Sequence, residues 1–165
     1  MKALLVNPAS PVWNSRTHIH MGLGYLAGSL RAAGYPAALY DGEAEDATLE
    51  ARLAGERFDL VGISCPTPLV RESLAAARLA RQHGAVSVIG GPHPTLQPDE
   101  CIAEPAVDLV VRGEGEDAIL EIIAALKQDA GALVEGTRRF GASAWREIAG
   151  LTYRDAQGSV IHNPQ

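Results

Sequence analysis

Cysteine, aromatic side chains and positive charge are all scarce in this 165-residue chain. Its two cysteines, Cys65 and Cys101, form neither a metal-ligand spacing nor a disulfide framework, so a reducing, cytoplasmic setting is expected. Fourteen Lys and Arg stand against 20 Asp and Glu, a net charge of -6, with no basic stripe. That balance argues against a nucleic-acid surface. No apolar run approaches the roughly 18 residues that cross a bilayer, and the chain enters a strand with no basic-then-apolar leader. No membrane partner is expected. The five histidines make no metal pair at helical spacing.

What the chain has is a strict alternation of short apolar runs and helical periods over about 128 residues. "KALLVN" (2–7), "AALYD", "DLVGIS" (59–64), "AVSVIGG" and "VDLVVRG" (107–113) read as strands. Between them lie a helix from Gly22 closed by Gly34, a short helix with Asp46 as N-cap, and a third stopped by Gly84. "TLQPDECIA" reads as a short helix or turn, and "EDAILEIIAALKQ" (116–128) as the most regular helix. Near-continuous apolar strands need helices on both faces of a parallel sheet. The expected fold is a doubly wound α/β, flavodoxin- or Rossmann-like, with five parallel strands in order 2-1-3-4-5. Residues 131–147 are weakly patterned, and "GLTYRDAQGSVIHNPQ" reads as a hairpin with Asp155–Gly158 at its tip. The expected organisation is one domain over 1–130, followed by a linker and hairpin extension over 131–165.

In such a sheet, ligands sit beyond the carboxyl ends of the strands. Those ends carry Asn7 and Pro8; Ser64, Cys65, Pro66 and Thr67; Gly90, Gly91, Pro92 and His93; and Arg112, Gly113, Glu114, Gly115 and Glu116. Small residues and prolines there suit a large, flat ligand against bare backbone. Gly90 and Gly91 either admit such a group or serve only a turn at positive φ. Neither Gly-rich stretch is a phosphate loop: "GPHPTL" lacks the Lys and Ser/Thr, and "MGLGYLAG" does not follow a strand. Ser64 is placed to donate into the crevice or to cap the next helix. Cys65 has no base nearby in sequence and reads as a core or rim residue rather than a nucleophile. Glu114 and Glu116 open a helix, where the dipole stabilises carboxylates. His83 ends a helix in solvent; His18, His20 and His93 are the imidazoles placed at the crevice.

On "KALLVNP", "MGLGYLAGSLRAAGY", "FDLVGIS", "VIGGPHPTLQPDE", "VDLVVRGEGEDAILEII" and "IAGLTYRDAQGSVIHNP", the chain resembles the N-terminal cobalamin-binding domain of cobalamin-dependent radical S-adenosylmethionine (SAM) enzymes. The resemblance implies a corrinoid across the strand ends with its nucleotide tail among the first strand, the third strand and the "GGPH" turn. Ser64 would face the tail, Gly90 and Gly91 would give it room, and "RGEGE" would border the corrin. The implied cofactor-binding set is Asn7, Pro8, Ser64, Cys65, Pro66, Thr67, Gly90, Gly91, Pro92, His93, Gly113, Glu114 and Gly115. No catalytic or metal-ligating residue is assigned. A D-x-H-x-x-G motif is absent after the first strand, so the implied cofactor is base-off with no protein imidazole below cobalt; His18 or His20 is the alternative ligand source. The C-x-x-x-C-x-x-C motif of the catalytic domain is also absent, so SAM and a [4Fe–4S] cluster belong to a partner domain, in cis or trans. By itself the chain is then not a complete enzyme but a module, methyltransferase-like in context. The competing reading is a small flavodoxin-like protein that binds a flavin or nucleotide or acts in regulation, without a corrinoid.

Overall fold

A computed structural model describes residues 1–10 and 20–165. Five short strands, β1 (Ala3–Asn7), β2 (Ala37–Asp41), β3 (Leu60–Ser64), β4 (Val86–Gly90) and β5 (Leu109–Val111), form a parallel sheet in order β2-β1-β3-β4-β5. The helices between them are α1 (Met21–Ala32), α2 (Leu49–Gly55), α3 (Val70–Gln82), α4 (Pro92–Leu96), α5 (Pro98–Ala103) and α6 (Glu116–Leu126). The expected α/β fold and strand order are therefore those observed.

Alternation along each strand divides the interior into two cores. Ala3, Leu5, Val88, Leu109 and Val111 point toward α1 and α6, while Leu4, Val6, Ile89 and Val110 point toward α2, α3 and α5. This two-sided burial is why the strands read as unbroken apolar runs.

Several local details differ from the sequence reading. Thr48, not Asp46, caps α2, its hydroxyl accepting from the Ala51 N–H at 3.2 Å. Strand β5 is three residues long rather than seven, bounded by the buried Asp108 and by Gly113 at φ +80°. The segment after Gly91 is two short helices, divided at Gln97 ahead of Pro98, because the residue before a proline is pushed out of helical geometry.

The weakly patterned stretch folds as an antiparallel pair, β6 (Ala132–Val134) and β7 (Thr137–Arg139), then a 3₁₀ turn over Ser143–Glu147. The closing hairpin, β8 (Leu151–Arg154) and β9 (Val160–His162), extends the main sheet by pairing antiparallel with β5. Phe140, Trp145 and Tyr153 cluster beneath it, Phe140 and Trp145 with ring centroids 4.4 Å apart. Among the described residues, no helix is long and apolar enough to cross a membrane.

Asp129 organises the segment between α6 and β8. Its Oδ2 accepts from the backbone of Gly141 (2.7 Å) and Ala142 (2.9 Å) and from Trp145 Nε1 (3.1 Å); its Oδ1 accepts from Gly131 (2.9 Å). Burial pushes this carboxyl up, but the donors outweigh burial and hold it below the ordinary 3.8. A depressed folded value contributes stability that is present above the unfolded value and lost as pH falls through the folded one. Asp129→Asn is therefore expected to cost about 1–2 kcal/mol at neutral pH and to flatten the loss of stability below about pH 4. Urea midpoints followed by Trp145 fluorescence in a Trp13→Phe background measure both.

Candidate functional site

At the carboxyl ends of β3, β4 and β5 a cavity of about 170 Å³ opens on the α1/α6 face of the sheet. Its base is Gly62 and Ser64 from β3, Val88 and Gly90 from β4, and Val111 from β5. Leu23 and Leu26 of α1 and Ile119 of α6 wall it, and the turn from Gly113 to Glu116 closes one side. The lining is mostly aliphatic, with His20, Ser64, Glu114 and Glu116 as its polar side chains.

Period-two alternation explains the base. Residues 62 and 64 share a face, as do 88 and 90, and at 62 and 90 that face carries no side chain. A Cβ on Gly90 would lie 3.8 Å from Val111, ordinary contact, so glycine here is a matter of open space rather than backbone need. Gly62 is different, since a Cβ there would come within 2.8 Å of Leu5 Cδ2. Gly91, at φ +112°, occupies a conformation that disfavours any side chain. The pair thus has two separate reasons: Gly90 leaves room, and Gly91 makes the turn into α4 while also lining the cavity.

His20 and Ser64 form the polar corner. His20 caps α1, its Nδ1 accepting from the Leu23 N–H at 3.3 Å, and its Nε2 is 2.7 Å from Ser64 Oγ. Ser64 is therefore not the cap of the following helix; its hydroxyl faces the cavity, and its carbonyl accepts from Ser73 Oγ at 3.0 Å.

Of the thirteen positions the resemblance implied, Ser64, Gly90, Gly91, Gly113, Glu114 and Gly115 line the cavity. The others lie around it. Asn7 donates to Asp41 Oδ1 at 3.0 Å, and Pro8 beside it is buried. The Cys65 side chain turns into the opposite core, beside Cys101. Pro66 and Thr67 start a 3₁₀ turn on the rim, and Pro92 is exposed at the start of α4. His93 is buried, with Nε2 3.4 Å from Glu100 Oε2, and its backbone N–H donates to the Cys65 carbonyl at 3.2 Å. His18 lies outside the described residues.

The site also includes residues the sequence reading left aside, chiefly Gly62, Val88, Leu23, Leu26 and Ile119. Counting back by two from Ser64 and Gly90 would have found the strand members. The helix members needed the packing of α1 against α6.

Size limits what the cavity can take. An engineered cavity of about 150 Å³ admits a benzene ring, whereas whole small-molecule sites span about 300–1,000 Å³. At about 170 Å³ this one has room for a single planar ring system but not for a whole macrocycle.

A family model described as "B12 binding domain" matches residues 15–123. An uncharacterized methyltransferase of Pyrococcus horikoshii is 33% identical across 99% of this chain, which covers 35% of that protein. An anaerobic magnesium-protoporphyrin IX monomethyl ester cyclase of Rubrivivax gelatinosus is 29% identical across 86% of the chain, covering 25% of the cyclase. The cytidylyl-2-hydroxyethylphosphonate methyltransferase of Streptomyces wedmorensis is 28% identical across 99%, covering 33%. The chain thus spans about a third or less of the length of these relatives.

Two solved structures share the fold. The cobalamin-dependent SAM radical enzyme OxsB, with aqua-cobalamin and SAM bound, superposes with a TM-score of 0.74 at 21% identity, over 99% of this chain and 22% of OxsB. The radical SAM methyltransferase TsrM of Kitasatospora setae gives 0.75 at 21% identity, over 98% of this chain and 30% of TsrM.

Proposed function

The chain belongs to the B12-binding domain family, and from that premise we propose that it binds cobalamin with the nucleotide arm in the 170 Å³ cavity and the corrin across the strand tips. The observation that carries this reading is the bare base at Gly90, beside a buried Ser64 hydroxyl that faces the space. A flat aromatic arm gains apolar contact with Val88, Val111, Leu23 and Ile119, and meets the Ser64 hydroxyl. Pro66, Thr67, Pro92, Gly113, Glu114 and Gly115, with Asn7 and Pro8 further along the sheet edge, are the proposed resting surface for the macrocycle. Cys65 and His93 support that surface through the 64–66 and 91–93 backbone.

A cavity that holds the arm would keep it away from cobalt, the base-off form. Both nitrogens of His20 are engaged within the protein, which leaves no lone pair for cobalt. Bound cobalamin would supply a cobalt centre able to carry a methyl group. This chain's own part would be to hold the corrin on the strand tips, within reach of a radical SAM domain in cis or trans. Residues 1–130 make the binding unit, and 131–165 are the proposed stretch leading toward that domain, where SAM and the iron–sulfur cluster would be held.

Purified protein mixed with hydroxocobalamin and desalted is expected to retain corrin absorption at about one equivalent per chain, as binding at these strand tips implies. Protein that elutes colourless, or that retains a flavin or nucleotide instead, overturns the proposal.

A further inference from the structure

We propose that His20 is a positioning residue that makes Ser64 an obligate hydrogen-bond donor, so that the cavity selects a planar arm with an in-ring acceptor nitrogen. The proposal rests on the cobalamin reading above and names the chemistry by which the site tells one corrinoid from another.

The inference follows from counting protons. The Leu23 N–H points at His20 Nδ1, so that nitrogen must present its lone pair, and in the neutral ring the proton sits on Nε2. Nε2 then donates to Ser64 Oγ, 2.7 Å away. A Ser64 hydroxyl that already accepts from His20 keeps its own hydrogen. Ser64 is 7% exposed, and among the described residues its hydroxyl has no partner other than His20. Ser64 lines the cavity, so that hydrogen is available to a group placed there. The opposite tautomer would set two N–H groups against each other at the start of α1.

A benzimidazole or adenine arm offers a ring nitrogen in its plane and satisfies the hydrogen. A phenolic arm fills similar space but leaves the buried donor unpaired, and sites built around a hydrogen bond discriminate strongly against an analogue that lacks it. His20 is outside the corrin-contacting set proposed above; it also lines the cavity, but its two ring nitrogens face Leu23 and Ser64, so its polar influence on the arm passes through Ser64.

The test is equilibrium binding of three corrinoids to the whole chain: cobalamin, a p-cresolyl cobamide and cobinamide, which has no arm. Wild-type protein is expected to prefer cobalamin over the phenolic cobamide by about tenfold, the equivalent of one hydrogen bond. Ser64→Ala should bring that ratio close to one by weakening cobalamin alone. His20→Asn keeps a capping acceptor for Leu23 but is too short to reach Ser64. It should leave the melting temperature at the wild-type value while lowering the preference severalfold, and His20→Gln should recover part of it.

Equal affinity of wild type for both cobamides, with both bound, overturns this inference and leaves the cobalamin reading standing. An unchanged ratio in His20→Asn overturns the role of His20. If none of the three corrinoids binds, the cobalamin reading itself falls.

Discussion

Replacing Gly90 with leucine is expected to abolish cobalamin binding, at least a hundredfold in Kd, while leaving the fold as stable as wild type or more so. The β4 backbone at this position tolerates a Cβ, which would meet Val111 at an ordinary 3.8 Å. The rest of the side chain would project into the 170 Å³ that the arm is proposed to occupy. Filling an apolar cavity gains burial, whereas excluding the arm forfeits its whole contribution to affinity. Gly91→Val is the contrasting variant. With φ at +112° and a Cβ 3.4 Å from the Cys65 backbone, it is expected to cost about 1–3 kcal/mol of stability by straining the turn. Loss of binding in Gly91→Val would therefore be ambiguous, but loss in a stable Gly90→Leu protein would not. Spectral titration with hydroxocobalamin beside urea denaturation separates the two, and full-strength binding by Gly90→Leu would place the ligand elsewhere.

Asp108→Ala is expected to be the most destabilising single change, by about 3–5 kcal/mol, a large share of the 5–15 kcal/mol typical of a domain. Asp108 is fully buried ahead of β5. It accepts from the Ser87 N–H at 2.9 Å, pairs with Arg81, and stands 3.4 Å from Arg138 Nε. Burial pushes its carboxyl up, and the Ser87 N–H and the two guanidiniums pull it back only in part. The cluster is thus costly to assemble and costlier to break on one side. Among the described residues, Arg81 Nε and Arg138 Nε have no hydrogen-bond partner even in the intact cluster, the Arg138 Nε contact with Asp108 being an ion pair without hydrogen-bond geometry. Without the carboxylate, the half-buried Arg81 and the buried Arg138 would be left with uncompensated charge and the Ser87 N–H would lose its acceptor. Arg81 also donates to the Gly136 carbonyl at 2.6 Å, so the same loss should release the β6–β7 hairpin from α3. Urea unfolding measures the first effect and amide exchange at residues 132–139 the second; a change under 1 kcal/mol would show that the cluster is dispensable.

The five apolar runs, the helices between them and the glycines that stop them made the doubly wound sheet and its strand order readable from the chain alone. Burial on both faces leaves no other use for strands such as "LLV" and "LVGIS". Strand tips are equally visible, because a glycine or proline follows each within two residues, and six of the candidate residues at those tips do line one cavity.

The sequence alone determined the layers and the end of the sheet at which a ligand would sit, since periodicity and chain-breaking residues are local properties. Only the tertiary structure decided which face of the sheet is hollow, that Gly90 and Gly91 serve different ends, and that His20 reaches Ser64 across 44 positions. It also carried Cys65 into the opposite core and folded 131–147 around Asp129. These outcomes depend on contacts between residues far apart in the chain, whose geometry is fixed only when α1 and α6 pack on the sheet.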